Sequence, residues 1–205
     1  MNYLSDVDRL ANRFRVMRHG QSKANEAGVI VSTIESDRRG DYGLSELGLR
    51  QARAAADACG LPADTVIRSS DFSRARETAE IVRARLGAAE VISAQALRER
   101  CFGDLEGETV ASYARVWEGD EAGTGHVHGV EPAAAVLDRV TALVADLERR
   151  YSGRDILLVS HGDTLQILQA GFQRLDPALH RRLPPLNTAE IRELHLAGEP
   201  SRPRP

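Results

Sequence analysis

Phe14-Arg15-Val16-Met17-Arg18-His19-Gly20 decides how this chain is read. Phe14–Arg18 is a short apolar strand candidate. It delivers a histidine at its C-terminal end, beside a permanent cation and a glycine that lets the backbone turn sharply. In an open α/β sheet, that edge is where ligands bind. A histidine there can attack an electrophile, and an arginine beside it can hold an anion. Far downstream the pattern returns. Asp155-Ile156-Leu157-Leu158-Val159 reads as a strand buried on both faces, and it runs into Ser160-His161-Gly162-Asp163 and a helix start at Thr164. Two parallel neighbouring strands would bring His19 and His161 to one sheet edge.

Two further segments carry chemistry. In Arg68-Ser69-Ser70-Asp71-Phe72-Ser73-Arg74, Ser70 or Asp71 is placed to cap a helix. Phe72, Ala75, Ala79, Val82 and Leu86 then make its core stripe. Arg74 falls in the first turns, off the stripe, where a cation does not suit the helix dipole. Arg76, Arg83 and Arg85 read as ordinary solvated arginines. In Leu97-Arg98-Glu99-Arg100-Cys101-Phe102-Gly103-Asp104-Leu105-Glu106-Gly107, Glu99 lies between apolar residues. Desolvation there would raise its pKa and fit it to donate a proton.

The remaining elements alternate. Residues 20–44 form a long loop with little periodicity, and long loops in compact domains are often functional. Ser45–Ala58 is a helix, Thr65–Ile67 a strand, Asp71–Leu86 a helix and Glu90–Ser93 a strand. Val110–Glu118 is a short helix, and Gly119–Gly129 is glycine-rich and reads as mobile. Pro132 opens a helix striped by Val136, Val140, Leu143 and Leu147. Ala189–Leu196 closes the sheet. The expected organisation is an N-terminal arm over 1–13, one catalytic domain over 14–196 and a disordered tail over 197–205.

The chain has 205 residues and a net charge of −3, enough for one well-buried core and a poor match to nucleic acid. No apolar run is long enough to span a membrane, and Met1–Arg13 lacks a signal-peptide core. Cys59 and Cys101 read as free thiols in a reducing compartment, which suggests the cytoplasm. No Cys/His/Asp spacing reads as a metal site, and no cofactor is called for. A homodimer is compatible with the sequence, but nothing in it indicates one.

Together these segments resemble the histidine phosphatase superfamily, the phosphoglycerate-mutase-like group. The resemblance runs from Phe14 to Leu196. It rests on Arg18-His19-Gly20-Gln21-Ser22 with Asn25, Leu44-Ser45-Glu46-Leu47-Gly48 with Gln51-Ala52, and the segment from Ser69 to Ala79. The stretch from Leu97 to Gly107, Val159-Ser160-His161-Gly162 and Asn187-Thr188-Ala189 follow in order. The family fold is an α/β/α sandwich with a mostly parallel central sheet. The resemblance implies that His19 is a phosphoryl-accepting nucleophile and Glu99 the proton donor. Arg18, Arg74 and His161 would surround the phosphate, Asn25 would add a side-chain hydrogen bond, and the Gly162 amide would be one more donor.

The chain departs from the family at Gly129 and Glu131, where a Gly-Glu-Ser is often found; Pro132 stands where Ser is expected. Glu131 then reads as a helix N-terminal carboxylate and His126 and His128 as solvated histidines, with a substrate contact by His128 as the alternative; two histidines are too few for a metal site. Bisphosphoglycerate-dependent mutases usually carry a Trp in the loop after the first histidine and a longer insertion. Here that loop reads Val29 to Ser36, the only Trp is Trp117, and Leu105 replaces an aromatic. The expected activity is therefore a metal-independent phosphatase of a small phosphorylated metabolite. Alternatives are a mutase, a phosphoprotein or phosphohistidine signalling phosphatase and, more distantly, an inactive phosphate-binding module. Arg38-Arg39 reads as a solvated basic pair, with a second-anion site as the alternative.

Overall fold

The computed structural model describes residues 2–124 and 129–199. His126 and His128, and the end of the tail beyond residue 199, lie outside the described residues. Five strands are present: β1 (Arg13–Arg18), β2 (Val66–Ser69), β3 (Val91–Ser93), β4 (Asp155–Ser160) and β5 (Ile191–Leu194). The α-helices are α1 (Lys23–Ala27), α2 (Ile34–Gly40), α3 (Glu46–Ala58), α4 (Ser73–Leu86), α5 (Tyr113–Ala122), α6 (Ala133–Arg150) and α7 (Gly162–Phe172). The sheet order is β3-β2-β4-β1-β5. Every pair is parallel except β1 with the edge strand β5.

The central strand explains the layering. All six residues of β4 are buried, because each face of the strand meets a helix layer. Ile156 and Leu158 join Phe14, Val16, Val140, Val144, Leu147, Leu165 and Leu168 in one core. Leu157 and Val159 join Met17, Ile67, Ala75, Ala79 and Val82 in the other. Alternation along one strand therefore feeds two cores, with α6 and α7 on one face and α3 and α4 on the other. Fully burying one such side chain contributes about 1.5–3 kcal/mol. This is the expected three-layer α/β/α sandwich. Leu4 and Leu10 of the expected N-terminal arm pack into the first core, and the Asn12 side chain bonds Glu148 and the Tyr151 carbonyl of α6 and its end. Of the expected tail, the Ala197 amide donates to Phe172 O at 2.8 Å.

Three local expectations are corrected. The segment 20–44 is not a featureless loop. It contains α1, closed by a capping box in which Ser22 and Asn25 exchange bonds, and α2, capped by Thr33. Both helices are too short to show a hydrophobic period. Next, α4 starts two residues later than read, at Ser73, and neither Ser70 nor Asp71 caps it. Asp71 is drawn into a paired bond with Arg98, and Ser70 is used by His161. The cap comes instead from α2: Asp37 Oδ2 accepts from Ser73 N at 2.8 Å and from Ser73 Oγ at 2.7 Å. Finally, α5 runs through Gly119 to Ala122, preceded by a 3-10 turn over Val110–Ser112.

Gly20 is needed for room rather than for a sharp turn, since its φ is not positive. A Cβ there would lie 2.6 Å from Gly48 O, and a Cβ on Gly48 would lie 2.0 Å from Gln21 O. The two glycines let the start of α3 press against the loop that follows β1.

Candidate active site

Register places the histidines. Arg18 pairs with Ser160 across β1 and β4, so His19 and His161 each sit one residue past the same rung. The His19 amide donates to Ser160 O at 3.0 Å, and the two rings lie 5.1 Å apart, edge to face. This is the juxtaposition expected from two strands that end in His-Gly.

A pocket of about 350 Å³ opens above this edge. Arg18, His19, Asn25, Arg74, Glu99 and Gly162 all line it. His161 is fully buried beside His19 rather than part of the wall.

The hydrogen bonds assign the tautomer of His19. Nδ1 donates to its neighbour's carbonyl, Gly20 O, at 2.7 Å. Nε2 therefore keeps its lone pair, and Arg74 Nε donates to it at 3.3 Å. Burial, with the guanidiniums of Arg74 and Arg18 adding to it, holds the imidazole well below its ordinary pKa. The ring is neutral and nucleophilic at neutral pH.

Arg74 is buried, which the sequence reading as an off-stripe residue did not show. Nη1 is held by Asp37 Oδ1 at 3.2 Å and Nη2 by Val31 O at 2.8 Å. Its guanidinium carbon lies 4.9 Å from the Phe72 ring centre. Arg18 Nη1 donates to Leu186 O at 2.9 Å, while Nε is buried without a partner. A Cβ on Gly162 would lie 3.4 Å from that guanidinium, so the glycine leaves Arg18 its place. At His161, Nε2 lies 2.8 Å from Ser70 Oγ, which accepts from the Phe72 amide and has its own proton to give to the ring. Nδ1 is a second buried nitrogen without a partner. Burial and the Arg74 charge keep this ring neutral too. Unsatisfied buried donors are uncommon and call for an explanation.

Asn25 is partly committed. Its Oδ1 accepts from Ser22 N and Oγ in the capping box, so only the amide nitrogen remains for a ligand.

Glu99 is partly buried in the opposite wall. Its Oε1 accepts from Arg100 N at 2.9 Å, from Thr164 N at 3.2 Å and from Thr164 Oγ1 at 3.1 Å. Oε2 has no hydrogen bond among the described residues and is the oxygen left to carry a proton. Burial, then the Asp163 carboxylate, pushes the Glu99 pKa up against these bonds. The nearby carboxylates are engaged elsewhere. Glu106 holds Ser32 and Thr33, and Glu131 pairs with Arg139.

Sequence reasoning missed the supports. Asp37 holds Arg74 and caps α4, yet beside Arg38-Arg39 it reads as one more solvated charge. Those two arginines are exposed on α2 and do not line the pocket. Arg100 is fully buried between Asp120 and Asp163. Asp163 also accepts from Trp117 Nε1 at 2.9 Å and from His180 Nε2 at 2.9 Å. Burial is the largest influence and opposes its ionisation, but the hydrogen bonds and charges of His180 and Arg100 together outweigh it and lower its pKa.

This constellation gathers two neutral histidines, two arginines and a carboxylate at one sheet edge. The sequence profile of the histidine phosphatase superfamily (branch 1) matches residues 14–202. The chain belongs to the histidine phosphatase superfamily. Among relatives of this histidine phosphatase, a glucosyl-3-phosphoglycerate phosphatase of Mycobacterium tuberculosis (strain CDC 1551 / Oshkosh) is 33% identical over 183 residues, covering 82% of this chain and 78% of that one. A 2,3-bisphosphoglycerate-dependent phosphoglycerate mutase of Parvibaculum lavamentivorans (strain DS-1) is 31% identical over 184 residues, covering 81% and 82%. The solved native structure of mycobacterial glucosyl-3-phosphoglycerate phosphatase superposes with a TM-score of 0.74 at 33% identity, over 88% of each chain.

The two buried neutral histidines of this histidine phosphatase make its stability fall with acid. Unfolded, each takes up a proton near pH 6.5; folded, each resists until lower pH. Below about 6.5 the unfolded chain binds more protons, so stability drops by about 1.4 kcal/mol per pH unit for each histidine. Denaturant midpoints measured between pH 7.5 and 5.5 are expected to decline, and less steeply in a His19→Gln, His161→Gln double variant. Equal slopes for the two proteins would contradict this.

Proposed function

We propose that this chain is a phosphatase that hydrolyses phosphate monoesters of small metabolites through a phosphohistidine at His19. One observation carries the reading: the His19 Nε2 lone pair lies among Arg74, Arg18 and His161, with the free Oε2 of Glu99 in the same pocket.

In the first step the Nε2 lone pair forms a bond to phosphorus and the ester P–O bond breaks. Glu99 gives its proton to the leaving alkoxide. The Nδ1–H bond to Gly20 O stabilises the positive charge that develops on the ring. Arg18 Nε, Arg74, His161 Nδ1, the Asn25 amide and the Gly162 N–H face the non-bridging oxygens. Fixed donors that need no rearrangement lower the barrier most. In the second step Glu99, now a carboxylate, takes a proton from water. The water oxygen bonds to phosphorus, the N–P bond breaks, and its electron pair returns to Nε2.

Hydrolysis is favoured over the mutase reading because the segment after α1 contributes Val29 and Val31 to the pocket and no aromatic; the aromatics in the lining, Tyr113 and Trp117, come from α5. The mutase relative supports the second reading. A panel of phosphorylated metabolites that includes glucosyl-3-phosphoglycerate decides: phosphate release supports the phosphatase, and isomerisation of a phosphoglycerate without release supports the mutase. The free thiols Cys59 and Cys101 fit the cytoplasm, and no helix among the described residues is long and apolar enough to cross a membrane.

Activity is expected to survive chelation, because side-chain cations supply the charge. Among the described residues no group of three or more His, Cys, Asp or Glu is placed to hold a metal ion. Assay with excess EDTA checks this. Activity lost there and restored by a divalent ion would contradict it.

A further inference from the structure

The pocket lining includes a cation that the chemistry above does not use. Arg181 lies in the 3-10 turn Pro177–Arg182 and lines the same pocket as Arg18, His19 and Asn25. Its guanidinium is seated on the face of Trp117, 3.7 Å from the ring centre. Nη1 donates to Gln166 Oε1 of α7. These contacts fix the plane of the fork and leave its other N–H groups open.

What Arg181 lacks is an ion-pair partner of its own. Among the described residues no carboxylate forms a salt bridge with it, and Asp163, whose charge reaches it, is bonded to other groups. Its neighbour Arg182 pairs with Glu121, Arg192 with Glu190 and Arg139 with Glu131. The two acids that line the pocket are Glu99 and Asp163. Glu99 is held by the Arg100 and Thr164 backbone, and Asp163 by Arg100, His180 and Trp117. A planar fork, oriented by stacking and facing a ligand cavity, suits an oxyanion. The phosphate donors come from β1, α1, α4 and the start of α7. Arg181 comes from a different element, with Trp117 and Pro185 also in the lining, and lies within electrostatic reach of Arg18.

We propose that Arg181, seated on Trp117, is a specificity residue that binds a second anionic group of the substrate, a carboxylate or a second phosphate. The substrate is then a phosphomonoester with another anion a few bonds away, rather than a phosphorylated neutral alcohol. This rests on the phosphatase reading for its biological meaning, but it is tested by binding.

Trp117 is the only tryptophan in the chain, so its fluorescence reports on the Arg181 seat. Three probes are titrated: 3-phosphoglycerate, propane-1,3-diol bisphosphate and glycerol 3-phosphate. They carry a carboxylate, a second phosphate and no second anion. The wild-type protein is expected to bind one or both dianionic-plus-anionic probes more tightly than glycerol 3-phosphate, with a change in Trp117 emission. The tighter of the two identifies the group. In Arg181→Ala that preference should fall on the order of tenfold to a hundredfold, the scale of a charge-assisted hydrogen bond. Glycerol 3-phosphate affinity should stay within about twofold, and Arg181→Lys should restore part of the preference. Arg181 is exposed at the mouth, so the variant is expected to fold. No preference in the wild-type protein, or equal weakening of all three probes in Arg181→Ala, would overturn the assignment. Turnover is read separately. A protein that shows the preference but releases no phosphate from any ester would sink the phosphatase reading and leave Arg181 in place.

Discussion

Replacing His19 with alanine is expected to abolish turnover while leaving the fold intact. The loss should be about 10⁶-fold, the scale seen when a covalent nucleophile is removed. The reason is geometric. Nε2 is the ring nitrogen that carries the lone pair, its single hydrogen bond among the described residues coming from Arg74 Nε at 3.3 Å, and Nδ1 is fixed by Gly20 O. His161 does not share this placement: it lies buried beside His19, outside the pocket lining, with Nε2 held by Ser70 at 2.8 Å. Rapid quench of the wild-type protein with phosphorus-labelled substrate should trap a label that is stable in alkali and lost in acid, as a phosphoramidate is. The label should be missing from His19→Ala. Full activity in that variant, or a label that survives acid, would remove the mechanism.

Changing Glu99 to glutamine should slow an alkyl phosphate by on the order of 10²–10⁴, the range of general acid catalysis. An activated aryl phosphate, whose leaving group needs little protonation, should be slowed far less in the phosphoryl-transfer step. The structure sharpens this expectation. Glutamine can keep the bonds that Oε1 accepts from Arg100 N and Thr164, so the loop should hold its shape while the proton is lost. Single-turnover rates on both esters check it. Equal slowing would make Glu99 a positioning residue. No slowing would also be informative, because Glu106 and Glu131 are already bonded to Ser32 and Arg139 and are poor substitutes.

Much of the machinery was legible because it is written in short-range terms. A strand that ends in His-Gly can be read from a handful of residues, and β4 matched its expected bounds at Asp155–Ser160. Helix α6 followed its hydrophobic stripe, with Val136, Val140 and Leu147 fully buried. The residues that reach the pocket from loops were found through motif order. The start of α4 was misread because Ser70 and Asp71 are good caps locally, and each found a better partner at a distance in His161 and Arg98.

The sequence by itself determined the layered α/β/α fold and the sheet edge that holds His19 and His161, and it singled out Glu99, which lines the pocket. Hydrophobic period and strand-ending glycines are properties of neighbours in the chain, and they act before any long-range contact exists. Tertiary structure alone decided which charges matter. Arg74 and Arg100 have the same composition signature as the solvated Arg76. They differ because Asp37 arrives from α2, and Asp120 and Asp163 from α5 and α7. Only folding removes water from those pairs, and desolvation is what turns a charged side chain into a fixed electrostatic element. The same holds for Arg181: its seat on Trp117 joins residues far apart in sequence, and no local pattern announces it.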